Sequence, residues 1–277
     1  MRQFGSMTLT IAALLTCHNR RDKTSACLNS LRNQTGRADS QFQLNIFLVD
    51  DGCTDSTVEK ALEIWPDAKI IPGDGNLYWC GGMRKAWEAA AETDPDFYLL
   101  LNDDIFLFQQ AIRSLLDVSG GPLARVIAVG ATCDPDSREW TYGGLESDHA
   151  FNEGTGLPRR CRTMNANCVL VPRAVFTEIG MFYATYRHAM GDMDYGYTAS
   201  RRGIAVLEPP VFVAECRRNP VGGTWRDRSL PRLHRYRLLM SPKGLPPKDW
   251  WHYCQRNYGF WWPRYFVSPY VRILLCM

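Results

Sequence analysis

Short apolar runs alternate with amphipathic stretches through the first half of the chain. Residues 8–15, 44–49, 68–71 and 97–101 have the length and composition of buried strands. Between them, residues 22–34, 54–65 and 82–92 space their apolar side chains at helical intervals. That alternation predicts βαβ units and an α/β fold built on a mostly parallel central sheet. Further on, residues 112–116 read as helix and 126–131 as strand, followed by a loop or small hairpin region over 134–156, rich in Gly, Asp and Ser. Residues 169–171 read as strand, 173–179 and 192–202 as helices, the second stopped by Gly203, and 204–207 and 211–213 as short strands. From Arg226 the pattern gives way to Pro-punctuated, aromatic-rich sequence, including Trp250-Trp251, Trp261-Trp262 and residues 267–275, expected to form a helical extension. No internal repeat or low-complexity tract interrupts the chain.

Length and composition bound this picture. At 277 residues, with 45% hydrophobic and 22% charged residues, one α/β domain with a C-terminal appendage is expected, not a disordered chain. The formal charge of +3 is too small for a nucleic-acid-binding protein. The basic residues are nevertheless uneven: between Arg201 and Arg237 nine arginines face only Glu208, Glu215 and Asp227. That excess suits a phosphate-bearing ligand, an anionic membrane surface or a solvated face.

The ten cysteines form no C-x-x-C pair, and neither they nor the five histidines recur at zinc-ligand spacing. A reduced, cytoplasmic setting follows. Met1-Arg2 and the run ending Leu14-Leu15-Thr16-Cys17 look like a short lipoprotein-type leader, but the same run reads equally as a buried strand leading into a helix. No stretch reaches the roughly 18 apolar residues of a membrane span. The aromatic tail either packs on the main domain or lies peripherally on the inner face of the plasma membrane, where Trp and Tyr are favoured.

Candidate chemistry falls where strands end, the edge at which open α/β sheets bind ligands. In Val49-Asp50-Asp51-Gly52-Cys53-Thr54-Asp55, the Asp51 carboxylate can accept the imide N–H of uracil or thymine, while Gly52 permits the turn and Thr54 a helix cap. Asn102-Asp103-Asp104 closes the next apolar run. Mg2+ or Mn2+ on a diphosphate needs only one or two carboxylates, so these acids suit a metal. The intervening Gly73-Asp74-Gly75-Asn76, with Gly81-Gly82 and Arg84-Lys85 opening a helix, offers backbone N–H groups and positive charge to an anion. It lacks G-x-G-x-x-G, so a dinucleotide is unsupported. Asp192 and Asp194 stand at a helix start, where a carboxylate serves either as a general base or simply as a partner of the helix dipole.

In this order, these segments resemble family 2 glycosyltransferases of the GT-A fold, especially bacterial rhamnosyltransferase-like members. Thr16-Cys17-His18-Asn19-Arg20 is similar to their opening Thr-x-Tyr-Asn-Arg, and residues 49–55 to Val-Asp-Asp-Gly-Ser-Thr-Asp with Cys53 in place of Ser. The resemblance spans residues 14–225, with weaker similarity over 241–247. It implies a catalytic domain over 1–225, with a nucleotide-sugar half at about 8–132 and an acceptor half at about 133–225, and an extension over 226–277. It also implies donor contacts from Thr16, Asn19, Arg20, Asp51, Asn76, Gly82, Arg84 and Asp103, a metal on Asp104, and Asp192 as base with Asp194 in reserve. Besides Cys53, two positions at the proposed metal and base motifs depart from the family: Asn102 replaces the first acid of Asp-x-Asp, and Gly191 the Glu before the base. Where relatives carry a late histidine, this chain has Cys216-Arg217-Arg218-Asn219, so Arg217, Arg218, Thr224 and Trp225 become candidates to steady the diphosphate.

The activity implied is inverting transfer of a sugar, L-rhamnose from dTDP-rhamnose first and a UDP-hexose second, onto a glycan or lipid-linked acceptor in surface polysaccharide synthesis. Two other classes are set against it. A sugar-phosphate nucleotidyltransferase needs a basic Gly-rich loop near the N-terminus, which residues 16–20 lack. A non-catalytic glycan-binding or scaffold protein would be in keeping with Asn102 and Gly191 but not with the acids retained.

Overall fold

The computed structural model describes residues 8–36, 41–151, 153–154 and 156–275; Met1-Arg2 of the leader-like reading lies outside them. The first half runs β1 (Leu9–Cys17), α1 (Arg21–Arg32), β2 (Phe42–Asp50), α2 (Thr57–Ile64), β3 (Lys69–Pro72), α3 (Tyr78–Ala91) and β4 (Phe97–Leu101). Then come β5 (Phe106–Leu107), α4 (Ala111–Ser119), β6 (Val126–Val129), β7 (Ala131–Cys133), β8 (Trp140–Tyr142), β9 (Gly144–Ser147) and β10 (Arg159–Met164). The chain continues through β11 (Cys168–Pro172), α5 (Arg173–Ile179), α6 (Gly191–Arg201), β12 (Ala205–Glu208) and β13 (Phe212–Glu215). It closes with α7 (Arg232–Met240), α8 (Pro247–Asn257), a 3₁₀ turn at Gly259–Trp261 and α9 (Trp262–Leu274).

A nine-stranded sheet in the order β3-β2-β1-β4-β11-β6-β12-β10-β9 forms the centre, with a four-stranded sheet β5-β13-β7-β8 beside it. The βαβ half, β3-β2-β1-β4, is parallel throughout, as the apolar pattern predicts. Beyond β4 the sheet becomes mixed, because β11 runs antiparallel to both β4 and β6. β1 is fully enclosed between β2 and β4, and its alternate side chains feed two cores. Ile11, Ala13 and Leu15 pack with Leu28 and Leu31 of α1, whereas Ala12 and Leu14 pack with Met83 and Trp87 of α3.

Several boundaries moved for identifiable reasons. The strand expected over 126–131 is divided at Gly130, whose N–H donates to Cys168 O at 2.8 Å while the chain passes from one sheet to the other. A Cβ at Gly130 would collide with Val213 and stand 3.2 Å from Cys168 O, so only glycine fits the crossing. β10 was hidden in the sequence because its inward-facing residues include Arg159, whose guanidinium pairs with the fully buried Glu208. α2 begins at Thr57 with Ser56 at its N-cap position, so Thr54 does not cap it; Asp55 Oδ1, just before the cap, accepts the Thr57 N–H at 3.2 Å.

The C-terminal extension is helical, and its inner face packs on the rest of the protein. Trp250, Tyr253 and Cys254 of α8 form a third core with Cys80, Tyr186 and Met190, so residues on both sides of position 225 share one interior. A polar clamp reinforces it: Arg256 Nε donates to both oxygens of Asp194, at 3.0 and 2.9 Å, and Asn257 Nδ2 donates at 2.7 Å. The Asp194 side chain is 3% exposed and that of Arg256 34%. Removing the guanidinium leaves a buried carboxylate short of its countercharge, a loss of about 3–5 kcal/mol for a buried pair. We therefore expect Arg256→Ala to lower stability by about 3 kcal/mol in urea unfolding, near the low end because Arg256 is partly solvated. Lys at 256 should restore only part of it, since an ammonium lacks the planar Nε and Nη2 pair that bonds Asp194 and Thr198 together.

Candidate active site

The carboxyl ends of β1, β2 and β4 converge, and each delivers one of the sequence motifs. After β1, Arg20 extends its guanidinium over the end of β4 and donates to Asp103 Oδ1 and Asp104 Oδ2, each at 3.0 Å. Thr24 Oγ1 donates to Asp103 Oδ2 at 3.3 Å, and Lys23 Nζ lies 3.8 Å from Asp104. Asp103 is 5% exposed. Burial, opposed by Arg20 and reinforced by the Asp104 carboxylate, pushes the Asp103 carboxyl up to about 6.

After β2, Asp51 organises the glycine-rich loop. Its Oδ1 accepts the N–H groups of Gly75 and Leu77 at 2.9 and 3.2 Å, and its Oδ2 that of Tyr78 at 3.1 Å. The loop wraps so closely that a Cβ on Gly73 would stand 2.7 Å from Asp51 Oδ1. Asp51 thus uses much of its acceptor capacity on backbone while still lining a cavity of about 430 Å³ with Thr16, His18, Tyr78 and Lys243. Asn19, in a left-handed conformation at φ 51°, accepts the Thr54 N–H at 2.7 Å through Oδ1, tying the two strand ends together.

That cavity adjoins a second of about 550 Å³, lined by Asn102, Asp103, Asp104, Asn165 and Asp192. Arg20, Trp79, Asp103, His188 and Lys243 border both. Asp192 is 8% exposed; Oδ2 accepts the Ala166 N–H at 3.1 Å and Oδ1 the Met193 N–H at 2.9 Å. Burial raises its pKa above the ordinary aspartate value. Burial also lowers His188 to about 4, helped by the charges of Lys243 and Arg20, so the imidazole is neutral at pH 7.

Several polar atoms in this cleft are left without partners. Trp79 Nε1, Asn102 Oδ1, Asn165 Oδ1 and His188 Nδ1 are buried without a hydrogen-bond partner among the described residues, and all four belong to residues lining the second cavity. Buried polar groups are rarely left unpaired, and four in one cleft fit a polar ligand that supplies the missing bonds.

The donors available for a metal are of two kinds. Asp103, Asp104 and the unpaired Asn102 Oδ1 offer hard oxygens beside one another at the end of β4, a set that suits Mg2+ or Mn2+ completed by phosphate oxygens. Cys17, Asp50 and Cys53 also bring ligand atoms within 4.8 Å of one another. Burial raises both thiols, Asp50 Oδ1 already accepts the Cys53 N–H at 2.7 Å, and sulfur is a poor ligand for these hard ions.

Other residues named from sequence sit elsewhere. Gly82 lies a full turn inside α3, so its N–H is not free for an anion; it is there because a Cβ would collide with Thr16. Arg84 Nη1 donates to Tyr186 O at 2.6 Å, holding the segment before α6, and Asn76 turns back onto Asp74. Asp194 is occupied by Arg256, which removes it as a reserve base. Thr224 and Arg217 line the second cavity, Arg217 also pairing with Asp136 at 2.5 Å. Arg218 instead lies over the Trp140 ring and donates to Trp140 O, while Trp225 faces a different cavity. Gly191 has its own cause: a Cβ there would stand 2.7 Å from Cys80 Sγ, so the Glu of the family pattern has no room. Sequence reasoning missed Trp79, Asn165, His188 and Lys243: Trp79 and His188 sit within the glycine and acid segments without a role of their own, Asn165 lies in no motif, and the weak 241–247 similarity was the one signal for Lys243.

Comparison with known proteins places this geometry. Residues 13–179 match the family described as Glycosyl transferase family 2. The chain is 24% identical to the N-acetylglucosaminyl-diphospho-decaprenol L-rhamnosyltransferase of Mycobacterium tuberculosis, over 65% of this chain and 68% of that protein. Its fold is similar to GalNAc-T7 with UDP, GalNAc and Mn2+, at TM-score 0.64 and 13% identity, covering 94% of this chain but only half of that one. It is also similar to the mannosyltransferase PcManGT from Pyrobaculum calidifontis in complex with GDP-Man and Mn2+, at TM-score 0.56 and 13% identity, over 96% and 74% of the two chains. S. aureus TarS 1-349 in complex with UDP aligns at TM-score 0.58 and 12% identity, over 90% and 70%. At these identities the structures establish a shared GT-A fold.

The tight seat of Gly82 against Thr16 yields a test of this architecture. Gly82→Ala must push α3 away from the end of β1, at a cost of about 1–3 kcal/mol for overpacking. We expect a lower urea midpoint and weaker binding of a nucleoside diphosphate in calorimetric titration, whereas Gly154→Ala, at a position with open space, should leave that binding unchanged.

Proposed function

Because the chain belongs to glycosyl transferase family 2, we propose that it is an inverting glycosyltransferase moving a sugar from a nucleotide diphosphate to the hydroxyl of a glycan or lipid-linked acceptor. The observation that carries this reading is the cleft in which Asp103, Asp104 and Asp192 meet four unpaired buried polar atoms. The rhamnosyltransferase relative supports dTDP-L-rhamnose as the first donor to test, with UDP-hexoses next. No observation favours a nucleotidyltransferase or a non-catalytic scaffold.

In this reading the Asp51 side of the cleft takes the nucleoside, with Thr16 and Tyr78 bordering it. Asp104, Asp103 and Asn102 Oδ1 would hold Mg2+ or Mn2+, which when bound offsets charge developing on the leaving diphosphate. Arg20 bridges the two acids until the donor arrives, and its guanidinium is then free to turn to phosphate oxygens. Neutral His188 and Asn165 present polar atoms to the sugar or acceptor. Asp192 receives the acceptor proton as the acceptor oxygen attacks the anomeric carbon, while the C–O bond to the diphosphate breaks on the opposite face. Its two amide donors fix the carboxylate without exhausting its lone pairs. Arg217 and Thr224 close the diphosphate side. A cytoplasmic site, with contact at the inner face of the membrane, fits a nucleotide-sugar donor and a lipid-linked acceptor.

Asp192→Asn keeps the volume and one of the two backbone hydrogen bonds but removes the base. Transfer should fall by about 10²- to 10⁴-fold with nucleotide-sugar binding retained, and undiminished transfer would reject the assignment. The pH profile gives an independent check. A base must be deprotonated, and burial raises the Asp192 pKa, so kcat should decline on acidification at a pH above the ordinary aspartate value of about 3.9. A flat kcat down to that value would show that Asp192 does not titrate in the rate-limiting step.

A further inference from the structure

A separate cavity of about 750 Å³ opens among α7, α8, α9 and the segment before α7, and Arg226, Arg228, Arg235, Arg264 and Arg272 line it. No aspartate or glutamate lines it, and among the described residues none of these arginines has a carboxylate within ion-pair distance. The adjacent acid, Asp227, is engaged by the N–H groups of Gly223 and Ser229, at 2.8 and 2.9 Å, and by the Ser229 hydroxyl, and it feels the charge of Arg235 only from beyond ion-pair distance. Arg235 Nε donates to Trp225 O and Arg226 lies over the Trp225 ring, but five guanidinium groups around one concavity carry positive charge that no carboxylate in its lining offsets, and their planar forks match phosphate oxygens. The absence of carboxylates distinguishes this cavity from the metal-suited cleft: here phosphate would be neutralised by arginine alone.

The surroundings select an amphiphile. Phe260 and Trp261 are 88% and 61% exposed, and Val267, Val271, Leu274 and Leu275 continue an uncovered apolar surface along α9. Among the described residues no helix is long and apolar enough to cross a membrane; an exposed apolar face flanked by arginines is the pattern of a helix that lies in an interface. The cavity also abuts the catalytic cleft along the chain at two places: Thr224 and Lys243 line the cleft, Trp225 and Leu245 the arginine cavity.

We infer that the arginine cavity binds the diphosphate head of a lipid-linked acceptor, with the hydrocarbon leaving over α9 and the acceptor sugar reaching towards Asp192. The inference rests on the acceptor class proposed above and gives it a location. The test is flotation of the full chain with phosphatidylcholine vesicles carrying a polyprenyl diphosphate, against vesicles matched in charge with phosphatidylglycerol. The diphosphate vesicles should bind markedly better, and R264Q/R272Q should weaken that binding by roughly 10- to 30-fold. Matching thermal midpoints for the variant and the parent chain establish that the variant is folded. Equal binding to both anionic vesicles would replace the acceptor site with a generic membrane contact and overturn the inference, as would undiminished binding by the variant. Calorimetric titration with UDP and Mn2+ separates the two readings: a chain that binds nucleotide but shows no preference for the diphosphate lipid keeps its proposed activity and loses this site.

Discussion

Two adjacent carboxylates at the end of a buried strand repel each other and resist desolvation, and in this protein one guanidinium holds them in place. Arg20 bonds Asp103 and Asp104 equally, and it reaches them because β1 and β4 are parallel neighbours. Without that cation, Asp103 at 5% exposure would be driven further towards its neutral form, and the β4 terminus would lose the charge on which a metal or phosphate site depends. The placement of β1 at the middle of the parallel half is therefore a functional constraint as well as a packing one. Moving β1 by one register position would turn Ile11, Ala13 and Leu15 to the opposite core and carry Arg20 away from both acids.

Asp51 acts by similar physics on neutral partners. Three backbone N–H groups converge on its carboxylate, so the Gly75–Tyr78 turn and the start of α3 are fixed by one side chain at the end of β2. Glycine is required where the chain comes closest, at Gly73 against Asp51 and at Gly82 against Thr16. The acid motif and the glycine motif, separate in sequence, are two halves of one loop anchor that also forms a cavity wall.

Much of this was legible in the chain before any coordinates. The period of the apolar residues located β1, β2, β3 and β4 within a residue or two, since each is buried and bounded by polar turns. Asp51, Asp103 and Asp104 stand out because acids directly after apolar runs are costly unless they have a purpose, and Asp192 because it opens a helix. What pattern could not reveal was direction and distance. Arg84 and Asp194 have the right chemistry for a phosphate contact and a base, yet one supports Tyr186 and the other is held by Arg256, 62 residues away in sequence. β10 escaped notice because Arg159 occupies an inward position that only the buried Glu208 makes tolerable. Asn165 belongs to no motif and His188 is only the polar neighbour of the acids that open α6; both are marked by buried atoms left without partners.

The departures from the family pattern also belong to one balance. Asn102 and Gly191 each remove a carboxylate, leaving Asp103, Asp104 and Asp192 in the second cavity against Arg20, Arg217 and Lys243. The lining is formally neutral. A diphosphate whose charge is matched by a divalent cation is close to neutral as well, so it can enter without burying a net charge, which the low dielectric of a closed cleft would penalise heavily. Two further carboxylates would shift that balance towards cations. The packing that excludes a side chain at Gly191, and the unpaired carbonyl of Asn102, therefore leave the cleft fewer charges and more directed dipoles, suited to a bound group whose own charges nearly cancel.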